Sequence, residues 1–178
     1  MGAPRSVPGP GVAVPCPCPF AADRSRFIPI CARPVCFRRD GPTTSVGNTD
    51  VGMTVSSFCS LSLQPPLVLA CVARTADLHH MLPRGQRVVF NILSASQEAL
   101  SRRFSEEEGS RRFDGLGFHR EGHGIAVLND VLAWIEGTII DQQDGGDHSI
   151  FVAEVDGASS NDERPLLYYR GGYAELER

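Results

Sequence analysis

The chain has 178 residues, enough for one well-buried domain and too few for two ordinary ones. With 42% hydrophobic residues, 21% charged residues and a net charge of −4, it reads as a soluble globular protein, and nothing in its charge calls for nucleic acid or an anionic membrane as main partner. No apolar run approaches the roughly 18–20 residues of a membrane-spanning helix, and Val12-Ala13-Val14 runs straight into alternating Pro and Cys instead of a signal-peptide core, so a cytoplasmic protein is expected.

All 17 basic residues are Arg, which excludes chemistry built on a lysine Schiff base or a P-loop lysine. Residues 1–42 hold nine of the 13 prolines and four of the six cysteines, with no sustained period, and are expected to form an atypical, disordered or irregular extension. Cys16, Cys18, Cys31 and Cys36 invite comparison with a zinc site. They lack a C-x2-C knuckle and are flanked by prolines, so no metal site is expected.

The domain proper is expected over residues 43–178. Thr43 to Asp50 carries one apolar residue, Val46, too few for a buried strand. Thr54, Ser56, Ser57, Ser60 and Ser62 then crowd hydroxyls into one short stretch ending at Pro65-Pro66. If Thr54 to Phe58 is extended, Thr54, Ser56 and Phe58 share one face, and Val55 and Ser57 the other. Hydroxyls and free amides at a strand end hold a phosphate or the polar rim of a heterocycle without formal charge, although Ser/Thr-rich strand ends are also common in plain structure.

Pro66 to Ala73 is a continuous apolar run and predicts a strand buried on both faces, with Cys59 and Cys71 as small buried hydrophobes. Thr75 to Leu82 predicts a short helix with Thr75 as N-cap and His79-His80 on its solvent side. Arg87 to Leu93 predicts a second strand. Ser94 and Gln97 form a capping box that opens a helix placing Leu100 and Phe104 one turn apart. His119 and His123 lie among Gly117, Gly122 and Gly124 and read as loop residues. Val131 to Ile140, Ser149 to Val155 and Pro165 to Tyr169 predict strands, the first carrying Trp134 as core or dimer packing. Between them, Asp144-Gly145-Gly146-Asp147 and Asp156 to Arg164 predict turns. Strands outweigh helices without βαβ alternation, so the fold class is mainly β, an antiparallel barrel with one or two short helices.

No G-x-S-x-G, H-E-x-x-H or P-loop is present, and Gly115-Leu116-Gly117 lacks the third glycine of a dinucleotide fingerprint, which argues against a Rossmann dehydrogenase.

Four ordered segments carry a resemblance. Gly52-Met53-Thr54-Val55-Ser56-Ser57 through Pro65-Pro66-Leu67 comes first, then Phe90-Asn91-Ile92-Leu93 with Gln97 and Phe104. Gly146-Asp147-His148 follows, and then Pro165 to Tyr169 with Gly172-Tyr173. Together they resemble the flavin reductase-like family, whose FMN-binding domain is a split β-barrel. The resemblance implies that Thr54, Val55, Ser56 and Ser57 hold the flavin phosphate and ring edge. It implies that Ser60 and Leu61 pass beside the isoalloxazine, and that Cys71, Asn91, Ile92 and Leu93 line the remaining groove. It further implies that His148 sits where the nicotinamide enters and that Tyr169 to Tyr173 close that side. Read alone, His148 is a turn histidine beside Asp147; within Gly-Asp-His it takes a positional role toward the nicotinamide.

The resemblance further implies a homodimer that reduces FMN or FAD with NADH or NADPH and supplies the reduced flavin to a flavin-dependent monooxygenase. A flavin-binding sensor or store without turnover, and an inactive barrel interaction module, stay open beside it. Two departures stand out. Gln64 replaces the Asp often found before the two prolines. The helix and Val-rich strand usual ahead of the Gly-Met-Thr motif are missing from the start, through true divergence or through a start-site or frameshift change that replaced the native N-terminus, and the Pro-, Cys- and Arg-rich composition favours the second.

Overall fold

A computed structural model describes residues 37–38, 40–46, 49–107 and 109–174. The four N-terminal cysteines lie outside these residues, as does most of the expected extension. The described chain is mainly β, as its patterning requires. A seven-stranded antiparallel sheet runs in the order β3-β2-β6-β9-β10-β5-β4. Its strands are β2 (Asp40–Val46), β3 (Thr49–Gly52), β4 (Cys59–Leu63), β5 (Pro66–Ala73), β6 (Arg87–Ile92), β9 (Ala133–Gly145) and β10 (His148–Ser160). β1 (Phe37–Arg38), β11 (Leu167–Tyr169) and β12 (Gly172–Ala174) form a small second sheet, and β7 (Phe118–Glu121) pairs with β8 (Ile125–Leu128). Among the described residues, no helix is long and apolar enough to cross a membrane.

β2 corrects the expectation that residues near Val46 cannot form a buried strand. Thr43 and Thr44 are fully buried. Their hydroxyls donate to the carbonyls of Ala126 (2.8 Å) and Arg87 (2.6 Å), so two β-branched polar residues fill places that apolar ones usually take. β5 is also corrected. Val68, Ala70 and Val72 face the core, whereas Leu67, Leu69, Cys71 and Ala73 stay half-exposed on the other face, and Cys59 is exposed.

The long hairpin of β9 and β10 turns tightly at Gly146, whose φ of +80° suits a residue without a Cβ. Both strands outrun their predicted lengths. The Asp156-Gly157 signal is absorbed as a bulge between Val155 and Gly157, so β10 continues to Ser160 instead of ending in a turn. The sequence from Phe118 to Leu128 forms a hairpin, so His119 sits on a strand and His123 in its turn.

The capping box at Ser94 and Gln97 is present, with the Ser94 amide donating to Gln97 Oε1 at 3.0 Å. It opens a single 3₁₀ turn and then helix α1 (Glu98–Glu106), whose Phe104 is buried beside Leu100 in a cluster with Leu93, Leu128, Val131 and Leu166. Trp134 packs against this cluster and its neighbour. The larger core cluster gathers Val72, Phe90, Ile135 and Phe151 from strands of the seven-stranded sheet, with Val55 and Phe58 from the segment between β3 and β4.

The predicted Thr75-capped helix is a shorter 3₁₀ turn, Asp77–Met81, preceded by Ala76 and without a side-chain cap. His79 is not on its solvent side. Its ring meets Phe151 edge-on at 5.3 Å between centroids, and Nε2 lies 2.8 Å from the buried Ser149 hydroxyl.

Candidate functional site

The hydroxyl-rich segment does not run as an extended strand. It enters from β3 with Met53 N–H donating to the Pro42 carbonyl at 3.2 Å and bends at Ser56. Thr54, Val55 and Phe58 turn inward while Ser56 stays exposed, so the strict alternation expected over Thr54 to Phe58 is lost. Thr54 Oγ1 donates to the Ser101 carbonyl at 2.9 Å, and the Tyr173 hydroxyl donates to Ser101 Oγ at 3.0 Å. Two residues of separate motifs thus converge on one turn of α1, where the Arg102 guanidinium covers the Tyr173 ring at 4.7 Å.

Ser57 reaches β5. Its hydroxyl donates to the Cys71 carbonyl at 2.9 Å and accepts from the Cys71 amide at 3.0 Å. From Cys71 the register carries across to β10, with Cys71 opposite Ile150 and Ala73 opposite His148. Residues opposite one another share a face. His148, Ile150, Leu69, Cys71 and Ala73 therefore form one half-exposed shelf, while Ser149, Phe151, Ala70 and Val72 point into the core. Ser60 and Leu61 lie on the next strand, the exposed edge β4.

The β9–β10 turn that carries His148 is fixed from several sides. The Arg74 amide donates to the Asp147 carbonyl at 3.0 Å, and the Arg74 guanidinium pairs with Asp144 at 2.7 Å. The Gly146 amide donates to the same Asp144 oxygen at 3.0 Å, an Asx turn. That amide and then Arg74 hold the Asp144 carboxyl below the usual carboxylate range. His148 Nδ1 lies 2.8 Å from Asp147 Oδ1, and this contact likewise holds the Asp147 carboxyl low.

Of the expected site residues, the structure brings Ser60, Leu61, Cys71 and His148 onto three neighbouring strands, with Ser57 tied to Cys71 from the segment that precedes β4. Others fall elsewhere. The side chains of Asn91, Ile92 and Leu93 are buried and do not line an open groove. The Asn91 amide instead braces the barrel, donating to the Gly41 carbonyl (2.9 Å) and accepting from the Leu128 amide (2.9 Å). Val55 belongs to the core. Tyr169 is half-exposed in the small sheet, with the Arg170 guanidinium 5.3 Å above its ring, and Tyr173 is engaged with α1. The Asp144–Arg74 pairing was missed in the sequence, although Asp two places before Gly146 is a signal for the Asx turn. Among the described residues, no group of three or more His, Cys, Asp or Glu is placed to hold a metal.

Comparison with known proteins places this arrangement. The chain is 35% identical over 136 residues to the FMN reductase (NADH) SmoA of Agrobacterium fabrum, covering 76% of this chain and 77% of that protein. It is 33% identical over 138 residues to the flavin-dependent monooxygenase reductase subunit HsaB of Mycobacterium tuberculosis, covering 76% and 73%. Among solved structures, it superposes on nitrilotriacetate monooxygenase component B of Mycobacterium thermoresistibile with a TM-score of 0.72 and 34% identity, over 80% of this chain and 81% of that one. The NADH:FAD oxidoreductase SgcE6 of Streptomyces globisporus, solved with NAD and FAD fragments, gives a TM-score of 0.75 and 29% identity, over 80% and 87%. The mainly β split barrel, the hydroxyl segment leading to Cys71 and the turn carrying His148 all fall within residues 42–177, which match the flavin reductase like domain, and the chain belongs to that family.

Proposed function

We propose that this chain is an NAD(P)H:flavin oxidoreductase that reduces FMN or FAD with NADH or NADPH as co-substrate. The carrying observation is the shelf on β5 and β10, where Ser57 pins Cys71 and the register sets His148 two positions further along the same face. A flat heterocycle needs what this surface offers: half-exposed apolar side chains in Leu69, Cys71 and Ile150, edged by the Ser57 hydroxyl, with the exposed Ser56 next to it in the chain. Flavin bound there supplies the acceptor for a hydride. The protein's own work is to align two rings and exclude water, with reacting atoms about 3–3.5 Å apart. His148, held by Asp147, orients the nicotinamide and moves no proton.

Reductase subunits of two-component monooxygenases among the relatives support a flavin-dependent monooxygenase as the recipient of the reduced flavin. We assign the working unit to residues 43–178, acting as a homodimer in the cytoplasm. The test is oxidation of NADH and of NADPH with each free flavin in turn. Turnover that depends on added flavin supports the reading; flavin binding without nicotinamide oxidation overturns it in favour of a sensor or store.

A further inference from the structure

Strand alternation sets Ser149 between two shelf residues and turns it the other way. His148 and Ile150 are half-exposed on the shelf, whereas Ser149 is 1% exposed and faces the core. His148 is the residue assigned to the nicotinamide above, and Ile150 belongs to the surface assigned to the flavin. Whatever anchors Ser149 therefore governs how the two halves of the site stand relative to each other.

The ladders with β5 and β9 hold the main chain of β10. From the core side, the Ser149 side chain is held by His79. This residue belongs to the 3₁₀ turn Asp77–Met81, seated by the buried Leu78 and followed by the buried Leu82. Its ring stands edge-on to Phe151 (5.3 Å, 79°) and to His80 (5.1 Å, 76°), two contacts that fix the ring plane. Nε2 then lies 2.8 Å from Ser149 Oγ, and Gln142 Nε2 donates to the same oxygen at 3.3 Å. With Gln142 as donor, the Ser149 hydroxyl directs its own proton to His79 Nε2, which accepts as part of a neutral imidazole. Burial, then the charges of His80 and Arg74, favour that neutral form. Nδ1 is buried without a hydrogen-bond partner among the described residues, so the ring acts through Nε2 alone. A phenyl ring would fill the same space beside Phe151 without stranding a polar atom. Packing does not account for an imidazole here; the bond to Ser149 does.

Resting on the flavin reductase reading above, we propose that His79 is a positioning residue for hydride transfer, acting through Ser149 on the spacing between the nicotinamide at His148 and the flavin on the shelf at Ile150. It touches neither ring. One hydride with its electron pair passes from nicotinamide to flavin, and one proton follows from solvent. The approach of about 3–3.5 Å that this transfer needs is lost when β10 shifts by a fraction of an ångström.

The test is single-turnover flavin reduction by saturating NADH, with the full chain in excess over the flavin, alongside dissociation constants for both ligands and thermal midpoints. His79→Phe keeps the ring contacts and removes the nitrogen. His79→Gln returns a polar group at about the reach of Nε2, and Ser149→Ala removes the same bond from its other end. The transfer rate should fall on the order of tenfold in His79→Phe and Ser149→Ala and recover in His79→Gln, with both dissociation constants within about twofold of wild type. A residue that only stabilises the fold would lower the thermal midpoint without this pattern of loss and rescue. Should His79→Phe not fold, Ser149→Ala and His79→Gln carry the test. Unchanged rates in His79→Phe and Ser149→Ala overturn the proposal, and so does weakened binding at an unchanged rate. Equal loss in His79→Phe and His79→Gln overturns it as well. A wild type that reduces no flavin sinks the reductase reading and the positioning role with it, whereas an active wild type confines any failure to His79.

Discussion

The Ser57 hydroxyl replaces a strand partner for Cys71: one oxygen satisfies both the amide and the carbonyl of that residue. β4 pairs with β5 only as far as Cys59 opposite Leu69, so beyond that point a side chain continues the ladder that the backbone has left. Ser57→Ala leaves two half-buried main-chain groups without this partner, at a cost of about 1–3 kcal/mol. Denaturant unfolding should show that loss, and flavin titration should show weakened binding because the shelf loses its edge. Full stability with full flavin affinity would mean that water takes over the role of the hydroxyl.

Asn91 is expected to matter for the barrel and not for the ligand. Its amide donates to Gly41 and accepts from Leu128, tying β2 and β8 to β6. Asn91→Leu keeps the volume and strands those groups, which should cost about 2–4 kcal/mol. At a temperature where the variant stays folded, its flavin affinity should match wild type. A weakened flavin complex in a fully stable variant would return Asn91 to the groove.

His148→Ala should raise the KM for the nicotinamide and leave flavin affinity nearly unchanged. The ring sits at the hairpin end of the shelf, tied to Asp147, away from the Ser57 rim. Removal of one positioning hydrogen bond should cost about 0.5–1.5 kcal/mol, or roughly twofold to twelvefold in KM. Steady-state kinetics with each substrate varied in turn checks this. A change confined to the flavin would assign His148 to the other ring.

Much of this fold is legible in local sequence. The apolar run ending at Ala73, the β-branched run from Arg87 and the Ser94–Gln97 box each carry their own instruction. β2 is not legible, because Thr43 and Thr44 are buried only by virtue of carbonyls on distant strands. The reach of β10 is hidden for a related reason: Asp156-Gly157 is turn chemistry locally and a bulge once β9 lies beside it. The site divides the same way. The order of its motifs can be read from the chain, whereas the face shared by Cys71 and His148 depends on a register between strands, which no single segment encodes. His79 escapes notice because its partner Ser149 belongs to a strand far along the chain.

His79 gives a pH dependence. Burial first, then the charges of His80 and Arg74, lower its pKa below the ordinary histidine value. The folded state therefore takes up this proton less readily than the unfolded state. As pH falls through about 6.5 the unfolded chain gains the proton first, so stability falls with it until the folded-state pKa is also passed. Unfolding measured between about pH 7 and pH 5 should show a steeper loss in wild type than in His79→Gln. Parallel profiles would show that the ring titrates alike in both states.

The flavin should be exchangeable. The donors on the shelf rim are neutral hydroxyls, the chain has no lysine to clamp a phosphate, and Arg74, the guanidinium at the end of β5, is already paired with Asp144. Neutral hydrogen bonds contribute about half as much as charge-assisted ones. A flavin passed to a second enzyme also has to leave. These considerations point to a micromolar dissociation constant, on the order of −8 kcal/mol. The purified protein, once desalted, should retain little yellow colour, and titration with FMN and FAD should restore it reversibly. Freeing Arg74 by Asp144→Asn should tighten flavin binding if the guanidinium then reaches the phosphate, and should leave it unchanged if the two are apart. Stoichiometric flavin surviving extensive dialysis of the wild type would remove the diffusible-product reading and make the chain a resident flavoprotein.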